Sequence, residues 1–295
     1  MNAIQEIESQ ESQCPLCAGK ALQLIYEREV IDKSWSLRRC GNCGLHFTTP
    51  TPSDADITRL YSGNFHVELR ADGQTELIFG EKFRRYIAVL RKHLPAGRVV
   101  DVGCATGLLV RMLKDLGYDA EGIELHPLSA AWGREHYKVE IKTTPLEQQP
   151  YAPNTLQAMI MTDVLEHTQN PLNFLKIAGE MLVDDGLLFI SFPDITSLEA
   201  RYTHLLTRAT KGRENWRNCH IPLHVWEFTR RTAELLFDRA GFTVLSFSRS
   251  QIRPATAFSI RRKLARLPIL PLCWPPFERL FGTQMEFLIR KKPRP

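Results

Sequence analysis

One stretch restricts this chain more than any other: a short apolar strand that runs through a glycine-bounded turn into a helix. Residues 98–103 read RVVDVG, and the turn is Asp101-Val-Gly103-Cys104-Ala105-Thr106-Gly107. Leu109, Met112, Leu113 and Leu116 then recur at helical spacing, and Gly117 ends the helix. Glycines at such a turn let backbone come close to a ligand. The next strand, DAEGIE, ends on Glu124, 21 residues after Gly103. A carboxylate there can accept both hydroxyls of a ribose. The glycines are separated by three residues, with Ala at 105 and Leu at 108. That is not the G-x-G-x-x-G that draws a pyrophosphate onto a helix. Asp101 adds negative charge, which suits a cationic ligand.

The rest of the chain continues the alternation. TLQAMIMTD (155–163) and GLLFISFPD (186–194) read as buried strands, with a helix over 171–186 between them. Thr229 is placed to cap a helix that ends at Gly241, and FTVLSFS and QMEFLIRK follow as strands. Alternating strands and helices predict an α/β fold, a parallel sheet covered on both faces. Ahead of it, 54–61 and 77–94 carry helical periodicity. The 295 residues accommodate one domain of ordinary size plus a small module.

That module is announced by cysteine spacing. Four of the seven cysteines form two Cys-x-x-Cys pairs, Cys14/Cys17 and Cys40/Cys43, separated by 22 residues able to form a hairpin. Four thiolates at two turn tips suit tetrahedral Zn²⁺ with no open position, a structural site. Cys104, Cys219 and Cys273 are expected to be packing or surface thiols. The expected division is a zinc ribbon and linker over 1–53 and a catalytic domain over 54–295.

The motifs VVDVGCATG, GIE, MTDVLEHTQNP (161–171), LLFISFPD and HVWEFTRRTAELLFDRAGF resemble those of class I S-adenosylmethionine-dependent methyltransferases of the small-molecule branch. CPLC…CGNCGLHFTTPTPS…LY resembles the zinc ribbon that precedes this domain in bacterial sugar C-methyltransferases and related pathway enzymes. The resemblance implies a Rossmann-like, mostly parallel sheet of seven strands whose last strand is antiparallel, with S-adenosylmethionine as methyl donor. By position, Gly103, Cys104, Ala105 and Gly107 are to line the methionine and ribose part, and Asp101 the amino-acid end. Glu124 is to take the ribose hydroxyls and Leu125 the adenine. Leu146 lies in the stretch that meets the adenine edge, and Asp163 beside the transferring methyl.

Methyl transfer from a sulfonium needs chiefly an acceptor placed in line. A hydroxyl or carbon acid also needs a base, for which histidine is the usual choice. His224, on the loop after the fifth strand, is the first candidate and His167 the second. The competing reading for His167 and Glu166 is a turn that caps the next helix, and for His220 and His224 a loop held against the sheet.

Charge points to the other substrate. The chain is +5 overall, yet Arg201–Pro295 holds 19 Lys/Arg against 6 Asp/Glu. Within it, 251–282 is an insertion of mixed basic and apolar residues, fit for a lid, a subunit contact or an anionic membrane surface. The expected acceptor is a sugar, polysaccharide precursor, natural product or lipid-linked intermediate. RNA is the runner-up, disfavoured because the chain lacks the Asn-Pro-Pro-aromatic signature of base methylation. A non-catalytic zinc adaptor is disfavoured by the intact glycine turn. The polar N-terminus lacks a signal-peptide pattern, and reduced cysteines suit a cytoplasmic setting.

Overall fold

The computed structural model describes residues 12–61, 74–209, 220–251 and 277–293. The insertion lies almost wholly outside them, as do Cys219 and Cys273.

The N-terminal module is a small antiparallel sheet of β1 (Leu22–Val30), β2 (Lys33–Cys40) and β3 (His46–Thr49). Its fourth strand is not local. Trp226–Glu227, from far along the chain, pairs antiparallel with β3, setting His46 opposite Glu227 and Phe47 opposite Trp226.

Two helices follow, α1 (Asp54–Tyr61) and α2 (Gln74–Arg91). The main sheet then begins with β4 (Arg98–Val102), α3 (Leu108–Asp115), β5 (Asp119–Ile123), α4 (Pro127–Tyr137) and β6 (Ile141–Lys142). It continues through β7 (Leu156–Thr162), α5 (Pro171–Met181), β8 (Leu182–Pro193) and α6 (Leu198–Ala209). The short strand Trp226–Glu227 is β9, followed by α7 (Arg230–Arg239), β10 (Phe242–Ser250), α8 (Glu278–Phe281) and β11 (Gln284–Lys291). The seven strands lie in the order β10-β11-β8-β7-β4-β5-β6. The last strand, β11, runs antiparallel between β10 and β8, as expected. Because alternate side chains leave opposite faces of a strand, two cores form. Val99, Ala158, Ile160 and Phe189 pack with Tyr86, Leu90 and Leu109 on one face. Val100, Met159, Ile190 and Phe287 pack with Phe174, Leu175 and Phe237 on the other.

The helix predicted over 171–186 stops at Met181. Leu182 has strand dihedrals and pairs with Leu156, while three extra residues bulge out before Leu187 meets Ala158. The apolar stripe runs through Leu182, so periodicity alone carries the helix too far. Asp184-Asp185-Gly186 supplies the turn chemistry, with Asp185 at φ 60°. Thr229 caps α7 through a reciprocal bond with Thr232, as its sequence position predicts.

Helix α4 carries no long-chain apolar stripe. It packs through small residues, and a Cβ at Gly133 would stand 2.3 Å from the carbonyl oxygen of Thr106 in the glycine turn. Gly133→Ala is therefore expected to push the turn away, costing about 1–3 kcal/mol as overpacking. Thermal melts check the stability. Calorimetry with S-adenosylmethionine should show weaker binding as well, since the displaced turn is the proposed cofactor site.

Candidate functional site

Strands β4 and β5 lie side by side, so their carboxyl ends bring the glycine turn and Glu124 together. Gly103, Ala105 and Gly107 all take left-handed backbone, at φ 74°, 50° and 77°. A Cβ on Gly103 would collide with Val164 at 2.4 Å, so no larger residue fits. Glu124 faces the turn. Its Oε2 accepts from the Ala105 amide at 2.9 Å and its Oε1 from the His126 amide at 2.8 Å. One carboxylate thus ties the turn to the start of α4. Two oxygens offer about four acceptor sites, so two remain after these bonds.

Asp101 is buried beneath this turn, and among the described residues its Oδ1 finds no hydrogen-bond donor. Burial, with Glu124 adding repulsion, pushes its carboxyl well above the usual carboxylate range. An unpaired buried carboxyl is costly, and a cationic group nearby would relieve it. Cys104 turns its thiol inward against Gly122, so only its backbone is left to serve the turn. Leu125 is 58% exposed beside Glu124, whereas Leu146 is buried in the core with Val102 and Ile123.

A second cluster forms at the carboxyl end of β7. Asp163 has φ 57° and a side chain 39% exposed. Lys82 of α2 donates to it at 3.0 Å, and the Gln284 amide also donates to it. Burial works against ionisation of Asp163, but Lys82 and the Gln284 amide together outweigh it and lower the pKa. Next to it sit Glu166, His167 and His224, with potential ligand or proton-carrying atoms within 4.8 Å of one another. His167 Nδ1 lies 2.9 Å from the Leu223 carbonyl oxygen, which makes Nδ1 the protonated nitrogen. Burial and neighbouring His224 lower its pKa to about 4, so the ring is neutral. His224 Nδ1 lies 3.1 Å from Glu227 Oε1. Burial opposes its charge, yet Glu227 prevails and the pKa rises.

Glu166 is 1% exposed, and among the described residues neither of its oxygens finds a hydrogen-bond donor. Burial, then Asp163, raises its pKa to about 8. A raised carboxyl pKa means that the folded state holds the proton more tightly. Ionisation then costs nothing below the unfolded value near 4.5 and progressively more up to about pH 8. Glu166→Gln should therefore gain stability over the parent between pH 5 and 8, by on the order of 3 kcal/mol. Denaturant melts at both pH values measure the difference; an equal difference at the two would mean that Glu166 ionises normally.

The four ribbon cysteines converge. Cys14 and Cys43 Sγ lie 3.6 Å apart, as do Cys17 and Cys40, and all four sulfurs fall within 4.8 Å of one another. A tetrahedron of zinc–sulfur bonds of about 2.3 Å has edges of about 3.8 Å, so the donor set fits the ion. Packed together, the thiols hold their protons unequally: burial, joined by Cys43, raises Cys14 far above the usual range, whereas at Cys40 the backbone amides of Cys43 and Asn42 overcome burial and lower the pKa to about 7.

The main sheet has relatives among known proteins. The chain belongs to the methyltransferase-domain family, whose description "Methyltransferase domain" matches residues 75–247. A ubiquinone biosynthesis O-methyltransferase of Xanthomonas campestris pv. campestris is 32% identical over 116 residues, 36% of this chain and 46% of that protein. The enzyme of that name from Methylocella silvestris is 24% identical over 154 residues, 49% of this chain and 60% of that protein. The chain thus spans about half the length of the curated relatives it matches. In fold, it resembles a SAM-dependent methyltransferase from Archaeoglobus fulgidus, at TM-score 0.53 and 17% identity over 77% of this chain and 99% of that one. A second such structure, from Methanosarcina mazei, gives 0.51 and 13% over 70% and 98%. The class I methyltransferase fold is thereby assigned to the main sheet.

Lys82, Glu227 and Gly133 contact the candidate site and were missed in reading the sequence. Glu227 alone left a signal, three residues after His224 in HVWEF.

Proposed function

We propose that this chain transfers a methyl group from S-adenosylmethionine to a small-molecule acceptor. The observation that carries the reading is Glu124 turned onto the glycine turn above an unpaired, buried Asp101. Gly103, Ala105 and Gly107 give the cofactor close backbone approach, Glu124 keeps two acceptor sites for ribose hydroxyls, and Asp101 answers the cationic amino-acid end. Leu125, exposed beside Glu124, suits the adenine face. Leu146, being buried, shapes the pocket wall from behind. When bound, S-adenosylmethionine supplies a methyl already activated on a positively charged sulfur, with a neutral thioether as leaving group.

The acceptor site is the β7 end. Asp163, fixed by Lys82 and Gln284, holds the floor. With S-adenosylmethionine held by the glycine turn and Glu124, an acceptor hydroxyl bound at this end would give up its proton to Nε2 of His224. Glu227 orients that ring through Nδ1 and stabilises the imidazolium that results. Neutral His167, its Nδ1 engaged by Leu223, lies against His224, with ring centroids 4.8 Å apart. The His224–Glu227 pair favours a hydroxyl acceptor, as does the name of the Xanthomonas relative. A sugar, a natural product or a lipid-linked intermediate meets that requirement. The ribbon cysteines hold a structural zinc. Reduced thiols set for a metal fit the cytoplasm, and among the described residues no helix is long and apolar enough to cross a membrane.

Calorimetry with S-adenosylmethionine, followed by labelled methyl transfer to small-molecule extracts and to total RNA, tests the reading. Binding heat and label on small molecules are expected. Absence of heat would defeat the cofactor assignment, and label on RNA would replace the acceptor class.

A further inference from the structure

Ribbon and catalytic loop share one hydrogen-bonded sheet, and the contacts run directly to the backbone of His224. Strand β3 pairs with β9, and the Thr48 amide donates to the Val225 carbonyl oxygen at 2.8 Å. The Thr48 hydroxyl donates to the His224 carbonyl oxygen at 2.7 Å. Thr48 is 1% exposed, so both bonds are shielded from water. On its other side the same loop is tied to the β7 end, where the Val225 amide donates to the Glu166 carbonyl oxygen at 2.8 Å. His224 is thus strung between a ribbon strand and the turn beside the acceptor.

The metal knuckle and the β2–β3 turn are one object. Cys40 closes β2, Cys43 sits in the turn, and the Cys40 amide donates to the Leu45 carbonyl oxygen at 2.8 Å. Beyond it, β3 lies in register on β2, with Leu37 opposite Thr48. Whatever holds Cys40 and Cys43 therefore sets where Thr48 stands. Side chains repeat the connection. Cys14, Cys40, Cys43, Leu45 and Phe47 share one apolar core with Val225 and Trp226. The Arg28 guanidinium donates to the Ile221 carbonyl oxygen at 3.3 Å, and Trp35 and Leu37 pack on Ile221. The Trp226 indole donates to the Thr168 carbonyl oxygen at 2.9 Å.

We infer that the cysteine ribbon is a positioning element of the methyl-transfer site, in which Thr48 fixes the backbone of His224 and Val225 and metal closure of the four cysteines fixes Thr48. The inference builds on the proposed role of His224, but its physical content is separate: the order of this loop depends on a module remote in sequence. A ribbon serving only as a docking module or folding aid would not need a shielded hydroxyl on the backbone of His224.

The test uses the full chain with histidine-selective isotope labelling. Thr48→Val removes the hydroxyl at nearly constant shape, and Thr48→Ser restores it. Thr58→Val is the control, because among the described residues the Thr58 hydroxyl bonds only the Asp54 carbonyl oxygen of its own helix. A strong chelator supplies a second arm on the unmodified protein. In Thr48→Val, and in the chelated protein, hydrogen exchange at the Thr48 and Val225 amides should rise about tenfold or more. The His224 imidazole should then titrate closer to an ordinary histidine. The affinity for S-adenosylmethionine should stay within about twofold, since the glycine turn and Glu124 lie on other elements, and kcat should fall about tenfold without a matching rise in KM. Thr48→Ser should recover most of the loss. Unchanged exchange and titration in Thr48→Val, or a kcat loss that Thr48→Ser fails to recover, would overturn the inference. Should Thr48→Val not fold, the chelator arm and Thr48→Ser decide it by the same readouts. If the parent protein binds no S-adenosylmethionine, the functional reading fails, while exchange and titration still report on the ribbon's hold over the loop.

Discussion

Glu124→Ala is expected to raise the dissociation constant for S-adenosylmethionine about 100-fold or more, with a loss of stability that accompanies it. Both effects come from one carboxylate. In the protein without ligand it already accepts the amides of Ala105 and His126. Hydrogen bonds to a charged group contribute about 1.5–3 kcal/mol each. Alanine loses both bonds and leaves the glycine turn, with three residues at positive φ, without its tie to α4. The ribose hydroxyls then lose their acceptor, and the turn loses the shape that received the methionine end. Glu124→Gln separates the two contributions. Its single amide oxygen can keep one backbone bond, so stability should fall less, while affinity still drops because an NH₂ faces where an acceptor is needed. Calorimetry and thermal melts on the same samples give both numbers. An alanine variant that binds with parental affinity would place the cofactor elsewhere.

The glycine turn, the carboxylate and the four cysteines were legible in the sequence because their spacing is local. A strand, a turn of small residues and a carboxylate at the next strand end are fixed by chain connectivity. Thr229 and Gly117 likewise announced a helix start and a helix end through side chains that act within one turn. The overlong helix at 171–186 shows the limit of periodicity: the stripe through Leu182 fits a helix, and only its pairing with Leu156 makes it a strand. Helix α4 went unseen for the opposite reason. Its packing face is built from Ala130 and Gly133, which carry no hydropathic stripe, and its value lies in letting Thr106 approach. The largest omission is β9. Two residues cannot declare themselves a strand, and the partner, β3, lies some 180 positions earlier. Lys82 is similar, reaching Asp163 across 81 positions to form a pair that no local pattern encodes. What the sequence hid is therefore long-range: the contacts that bring the ribbon, α2 and the loop of His224 to one end of the sheet.

His224→Ala is expected to lower kcat about 10²- to 10⁴-fold, the range for removal of a positioned general base, while the affinity for S-adenosylmethionine stays within about twofold. The base must be neutral to accept a proton, so activity should rise as pH passes through the pKa of His224. That pKa lies above the ordinary histidine value of 6.5, since Glu227, with Asp163 and with Glu166 once it ionises, overcomes the burial that opposes charge. Neutral His167 adds no charge against it near neutral pH, and the ring of His220 stands 4.9 Å away. Glu227→Gln removes the strongest of these influences, so the rising limb should move to lower pH while the plateau falls, because a less basic ring is a weaker proton acceptor. Stability follows with a fixed sign. A histidine whose folded pKa is raised contributes stability that is complete below about pH 6.5 and is lost as pH climbs through the folded value. Glu227→Gln should flatten that loss. The two experiments bind the base to its partner. A limb that holds its position in Glu227→Gln would show that another group takes the proton, and His167, its ring centroid 4.8 Å from that of His224 and already neutral, would then be the residue to replace.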